Sequence, residues 1–245
     1  MHVERLGSGP RVVLVHGSMS GPAVWNLQRP LAERWRLEIV SRPGFPPNPP
    51  ADRIDFEHDA PLVAGLLGDG AHLVGHSYGG VVSLLAAAQR PEAVRSLTLV
   101  EPPCFAVARG DPAVDELVTG MERYWAEGPR EPMAFAEGFL RAVGSSLRLG
   151  PDLEQAARAL PTERLPSEAE VPLAELRGAP FPKLVVSGAH SPAFDAVCDV
   201  LERELPAERA VVPGGEHSIP RTGDPFNRAL EAFLLRAEEL VAQSH

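Results

Sequence analysis

The fold is decided by Leu73-Val74-Gly75-His76-Ser77-Tyr78-Gly79-Gly80-Val81-Val82. The apolar residues before Gly75 are typical of a strand buried on both faces, and those after Gly80 are typical of a buried helix. Between them lies a Gly-x-Ser-x-Gly pattern centred on Ser77. A serine in this context stands on a tight, strained turn above the sheet, where flanking glycines avoid clashes of Cβ atoms. The stretch therefore predicts a strand–turn–helix unit with Ser77 as a candidate nucleophile.

Strands and helices alternate on both sides of this unit. In the first half, strands are predicted at 12–15, 37–40, 71–75 and 94–100, with helices at 22–34, 56–67 and 78–90. In the last quarter, strands are predicted at 184–186 and 210–212, with helices at 192–205 and 224–242. This alternation favours an α/β fold with a doubly wound, mostly parallel sheet, which carries its sites at the carboxyl ends of the strands.

Residues 102–180 interrupt the alternation. They show helical patterns at 112–127, 131–147 and 151–160, separated by Pro and Gly, and no convincing strand pattern. We therefore predict a core formed by residues 1–101 and 181–245, and a helical lid (cap) formed by residues 102–180.

The composition argues against several classes of protein. The formal net charge of −10 gives no footprint for nucleic acid or for an anionic membrane. The chain shows no secretory signal and no apolar run long enough to span a bilayer, so a cytoplasmic location is expected. Abundant Arg with a single Lys is associated with GC-rich bacterial genomes. Cys104 and Cys198 are expected to be reduced thiols, and no motif indicates a metal, flavin or nicotinamide, so no cofactor is predicted.

Four motifs resemble those of the α/β-hydrolase superfamily, in the same order and spacing. They are His16-Gly17, Arg42-Pro43-Gly44-Phe45, the stretch from Gly75 to Gly80, and Gly214-Gly215-Glu216-His217. The resemblance covers nearly the whole chain and implies a serine hydrolase with Ser77 as nucleophile and His217 as its general base. Haloalkane dehalogenases and epoxide hydrolases of this fold carry Asp at the nucleophile position, so Ser77 argues against both. Three other histidines are expected at the surface: His2, His58 and His245.

The acid of the triad is less clearly marked. The family usually carries Asp in the loop after the penultimate strand, but here the loop reads Gly188-Ala189-His190-Ser191-Pro192, with Ser191 at the expected place. Three interpretations stay open. Glu101, at the end of the neighbouring strand, supplies the carboxylate, as in some family members; Asp195 or Asp199 turns in from the next helix; or the triad is incomplete.

Two further sets of residues follow from the resemblance. The oxyanion hole needs backbone N–H groups, and we expect them from Ser18 and Tyr78. Ligand pockets are mainly apolar, so a pocket is expected among residues of the lid: Phe105, Met121, Trp125 and Phe139.

These assignments predict hydrolysis of a carboxylic ester or thioester through an acyl-enzyme, with Ser77, His217 and Glu101 as the triad. The expected partner is a small-molecule substrate with a hydrophobic part, without nucleic acid or membrane. The same triad also supports lactone, amide or C–C bond hydrolysis, or perhydrolysis, because a fold does not decide the reaction. A chain with an incomplete triad would instead be a non-catalytic ligand-binding member of the fold.

Overall fold

A seven-stranded sheet forms the centre of the computed structural model, which describes residues 1–243. Its strands, in spatial order, are β1 (His2–Leu6), β3 (Arg36–Ser41), β2 (Arg11–Val15), β4 (Ala71–His76), β5 (Val94–Val100), β6 (Lys183–Ser187) and β7 (Glu208–Val211). β1 runs antiparallel to β3, and every other neighbouring pair is parallel. The prediction of an α/β, mostly parallel sheet is therefore confirmed. The last two residues of the predicted core, including His245, lie outside the described residues.

Helices cover both faces of the sheet. They are α1 (Phe56–Leu66), α2 (Tyr78–Gln89), α3 (Pro112–Glu127), α4 (Pro132–Ala142), α5 (Glu154–Ala159), α6 (Leu173–Gly178), α7 (Pro192–Glu204) and α8 (Asp224–Gln243). In β2, Val13 and Val15 pack in the apolar core shared with α1, α2 and α7, whereas Val12 and Leu14 pack in the core shared with α8. Alternate side chains of a strand point to opposite faces, so a strand covered on both faces is apolar throughout. In residues 1–243, no helix combines the length and the apolar character that crossing a bilayer requires.

The predicted helix at 22–34 is a 3₁₀ helix, Gly21–Glu33, that contains Pro30. With three residues in each turn, Trp25, Gln28 and Leu31 share one face, and all three are buried. Leu27, which the α-helical spacing had placed on the buried face, is 49% exposed. The change in period explains why the prediction for Leu27 was wrong.

Two elements were not predicted from the sequence. β1 is an edge strand that pairs only with β3, and its polar and exposed residues give no clear strand pattern. α6 is a short helix of six residues, too short for a clear helical period. The helix predicted at 131–147 ends already at Ala142, because Gly144 takes a positive φ of 62° and turns the chain.

Residues 102–180, hereafter the helical segment, lie between β5 and β6 and contain α3 to α6. The segment shares an apolar core with α1, α2 and α7, and α3 packs against α7. Two isolated bridges also join it to loops of the sheet, Ile54 with Glu163 and Ser145 with Glu216. Because Glu216 follows β7 and Ile54 follows β3, the segment contacts loops at the carboxyl ends of the strands.

Candidate active site

Ser77 occupies a strained turn between β4 and α2, with φ 53° and ψ −129°. The glycines on either side leave no room for a side chain. A Cβ on Gly75 would lie 2.5 Å from the carbonyl oxygen of Gly79, and one on Gly79 would lie 2.3 Å from the carbonyl oxygen of Val15. The glycine pattern is thus required by close backbone packing, which holds the serine above the carboxyl end of β4.

His217 approaches this serine from the loop after β7. Its Nε2 lies 2.8 Å from Ser77 Oγ. Two contacts hold the loop in place: the His217 N–H donates to the carbonyl of Gly144 over 3.1 Å, and His76 Nε2 donates to the carbonyl of His217 over 2.8 Å. The ring is buried, so the hydrogen bond to the serine is shielded from water.

Glu101 reaches the other nitrogen of the His217 ring. It follows β5 with a positive φ of 43°, and its Oε2 lies 2.8 Å from His217 Nδ1. Its second oxygen, Oε1, accepts the Gly188 N–H over 2.7 Å. Burial raises the pKa of Glu101, but hydrogen bonds from His190 and His217 outweigh that effect and hold the pKa at about 2. Glu101 is therefore a carboxylate at neutral pH, although its side chain is fully buried.

The two other candidate acids face elsewhere. Asp195 and Asp199 lie on α7, where they form ion pairs with Arg209 at 3.7 Å and 3.1 Å. Ser191, at the place where an acid was expected, precedes the first turn of α7. Of the three carboxylates considered from the sequence, the structure brings Glu101 to the imidazole of His217 and leaves the two aspartates with Arg209.

His190 also contacts Glu101, and the sequence did not single it out. Its Nε2 lies 2.9 Å from Glu101 Oε2, the same oxygen that meets His217. Ligand atoms of the three side chains lie within 4.8 Å of one another. Both imidazole nitrogens are, however, at hydrogen-bond distance from one oxygen, so we interpret the group as a hydrogen-bonded cluster and not as a metal site. The signal for His190 was its position beside Ser191, in the loop expected to carry the acid.

Gly17 brings the loop after β2 close to the serine. A Cβ on Gly17 would lie 2.7 Å from Ser77 Cβ, so only glycine fits there. Ser18 follows directly and lines the same cleft as Ser77 and Tyr78. The two residues expected to supply oxyanion N–H groups therefore lie on either side of the serine hydroxyl.

The cleft above Ser77 has two branches that share Ser77 and His217. The first branch, with an empty volume of about 420 Å³, is lined mainly by apolar residues of the helical segment and α7: Phe105, Leu117, Met121, Trp125, Phe139 and Phe194. The second branch, of about 360 Å³, contains polar residues at its far end: Ser20, Ser145, Ser218 and Arg221. The four pocket residues chosen from the sequence all line the apolar branch.

A buried arginine connects the helical segment to the loops around the cleft. The guanidinium of Arg42 lies 3.0 Å from Asp59 and 3.0 Å from Glu163, and all three side chains are buried. Glu163 belongs to the helical segment and also accepts the hydroxyl hydrogen bond of Ser18. Arg42 further donates to the carbonyls of His16 and Gly17. One side chain therefore holds together the loops after β2 and β3, α1 and the helical segment.

Replacing Arg42 by Met is expected to lower the free energy of unfolding by about 3–5 kcal/mol, because the change leaves two buried carboxylates without their cation. The measurement is equilibrium unfolding in urea. Arg228→Met is the matched control, since Arg228 is an exposed partner of Asp224 and exposed pairs contribute little. Equal stability losses in the two variants would contradict this prediction.

Comparison with known proteins places the chain in a family. A model described as "Alpha/beta hydrolase family" matches residues 12–234. The pimeloyl-[acyl-carrier protein] methyl ester esterase of Aeromonas hydrophila is 41% identical over 107 residues, which are 42% of this chain and 42% of the relative. The enzyme of the same name from Methylococcus capsulatus is 31% identical over 191 residues, which are 75% of this chain and 66% of the relative.

A solved structure extends the likeness to the whole fold. An alpha/beta hydrolase from Sphaerobacter thermophilus superimposes with a TM-score of 0.71 at 26% identity, covering 95% of each chain. The chain thus matches about two fifths of the Aeromonas relative's length and slightly less than two thirds of the Methylococcus relative's. The names of these relatives support an enzyme that acts on esters. Because the family model spans most of the sequence and the sheet has the same architecture as a solved member, this chain belongs to the alpha/beta hydrolase family.

Proposed function

We propose that this chain is a serine hydrolase that cleaves a carboxylic ester or thioester through an acyl-enzyme. One observation carries the proposal: an unbroken hydrogen-bonded series from Ser77 Oγ to His217 Nε2, and from His217 Nδ1 to Glu101 Oε2, with both distances 2.8 Å. A serine hydroxyl becomes an effective nucleophile when an imidazole held by a third group takes its proton.

Each residue has one task in this mechanism. Ser77 Oγ attacks the carbonyl carbon while His217 takes the hydroxyl proton. Glu101 keeps the ring oriented and stabilises its charged form. His217 then gives the proton to the leaving alcohol or thiol, and the same ring activates the water that releases the acid. These steps use side chains of the protein and need no cofactor.

The negative charge that develops on the carbonyl oxygen needs donors that are already in position. We propose the backbone N–H groups of Ser18 and Tyr78 for this role. The amino terminus of α2, which begins at Tyr78, adds a partial positive charge on the same side.

We further propose that the helical segment is a lid over a core formed by residues 1–101 and 181–245. Its residues Phe105, Met121, Trp125 and Phe139 line the apolar branch beside Ser77, which supports a substrate with a hydrophobic part. The relatives are named for a methyl ester of an acyl chain. We infer an ester of an acyl chain as the substrate class here, and the cytoplasm of a bacterial cell stays the predicted location.

The polar end of the acidic loop no longer favours a non-catalytic interpretation. That interpretation depended on Ser191 in place of an acid, and Glu101 offers a carboxylate at hydrogen-bond distance from His217. Lactone, amide and C–C bond hydrolysis and perhydrolysis use the same groups, but no contact in the cleft favours them over ester hydrolysis.

A series of p-nitrophenyl esters of increasing acyl length tests the proposal. We expect turnover that rises from the acetate to a medium-length chain and falls once the chain exceeds the apolar branch, because burial of each added CH₂ contributes about 0.8 kcal/mol until the space is full. Rapid mixing should show a burst of nitrophenol where release of the acid is slow. The Ser77→Ala protein supplies the background rate. Native protein that shows neither burst nor turnover with any ester would disprove the proposal.

A further inference from the structure

His190 makes the carboxylate of Glu101 the shared acceptor of two imidazoles. His190 Nε2 and His217 Nδ1 lie 2.9 Å and 2.8 Å from the same oxygen, Oε2. An ionised carboxylate only accepts hydrogen bonds, so each ring must present an N–H to it. This requirement sets the tautomer of His190: its Nε2 carries the hydrogen, and Nδ1 is the atom that gains or loses a proton.

The Nδ1 side of His190 faces the turn at Gly144. A Cβ on Gly144 would lie 2.9 Å from that nitrogen, so only glycine fits at this point of the turn. Within residues 1–243, Nδ1 forms no hydrogen bond, and it is not sealed from solvent. The side chain is 11% exposed, against 0% for Glu101 and 6% for His217. His190 is therefore the member of this cluster through which protons exchange most readily with water.

The charged groups around His190 favour its protonated form. They come from three elements: Glu101 after β5, Asp195 on α7, and Glu216 and His217 in the loop after β7. The nearest ring on α7, Phe194, and the turn at Gly144 add no charge. Burial lowers the pKa of His190, but the hydrogen bond and the charge of Glu101, with Asp195 and Glu216, outweigh it and raise the pKa.

We propose that His190 is a positioning residue of the active site: it holds Glu101 against His217 and, when protonated at Nδ1, offsets part of the carboxylate's charge so that His217 stays a free base to lower pH. The inference rests on the proposed esterase function and deepens it. The reason for its direction is simple. The rings of His190 and His217 are 6.0 Å apart, so a cation on His190 disfavours a second cation on His217. Protonation of His217, which stops catalysis, then requires more acid.

The experiment compares pH profiles of kcat/KM for a short p-nitrophenyl ester in native protein, His190→Gln and His190→Leu. Gln keeps an N–H donor near the position of Nε2 but cannot become a cation, whereas Leu removes both the donor and the charge. We expect the acid limb to move up by about one pH unit in both variants. Near pH 8, above the limb, kcat should be close to native in His190→Gln and about tenfold lower in His190→Leu, because only Leu frees Glu101 to move.

His2→Gln is the matched control, since His2 lies at the exposed edge strand. Its profile should coincide with that of native protein. Thermal unfolding checks that each variant is folded, and His190→Gln alone suffices if His190→Leu does not fold. The rate at which a fluorophosphonate probe labels Ser77, followed against pH, provides a second profile that needs no ester turnover.

The outcomes separate the two proposals. Active native protein whose acid limb is unchanged in His190→Gln would overturn the role of His190 and leave the esterase function standing. A variant that loses stability and kcat without any shift of the limb would show a structural role and would also overturn the proposal. Native protein with neither turnover nor labelling would overturn the esterase function, and the role of His190 with it.

Discussion

Ser77→Ala is expected to lower kcat for any ester substrate on the order of 10⁶-fold, because the change removes the atom that forms the acyl bond. The same variant should lose all labelling by a fluorophosphonate probe, which intact-protein mass measures directly. The fold should be unaffected, since the substitution removes one oxygen and introduces no new contact. A small residual rate would reflect the remaining backbone donors and the bound geometry.

The control is Ser8→Ala, which changes an exposed serine in the turn between β1 and β2. It should keep native turnover and a single labelled site. Labelling of Ser77→Ala at the native rate would show that another residue is the nucleophile, and the mechanism proposed above would then be wrong.

Glu101→Gln should lower kcat by about 10⁴-fold, with a much smaller change in KM. Glutamine preserves the size of the side chain, but it carries no charge to stabilise an imidazolium, and its amide hydrogens favour the wrong tautomer of His217. Steady-state kinetics with the best ester of the series measures the effect. Because the pKa of Glu101 is about 2, the carboxylate stays charged as the pH falls from 8 to about 4, so any acid limb in this range belongs to the histidines.

Asp195→Asn is the matched control for this change. Asp195 forms an ion pair with Arg209 and does not contact the ring of His217, so its loss should change kcat far less. The reverse ranking, with a large effect at Asp195 and a small one at Glu101, would move the acid of the triad to α7 and contradict the geometry described here.

Local chemistry made several parts of the molecule predictable. The run Leu73-Val74 with the glycines around Ser77 predicted a strand, a strained turn and a helix, because few residue types tolerate such close backbone contacts. The alternation of apolar runs predicted the parallel sheet for the same kind of reason. Local pattern failed where geometry differed from the assumed period, as at Leu27 in the 3₁₀ helix, and where an edge strand had little apolar content, as in β1.

The sequence by itself determined the candidate nucleophile and base, since Ser77 and His217 each stand in a motif whose glycines serve a local backbone requirement. Only the tertiary structure decided which carboxylate meets His217 and that His190 meets the same oxygen. Those contacts join loops after β5, β6 and β7, and they depend on the order of the strands and on positive φ angles at Glu101, Ala189 and Glu216. No spacing along the chain encodes them, because the carboxyl ends of neighbouring parallel strands bring together residues that are far apart in sequence.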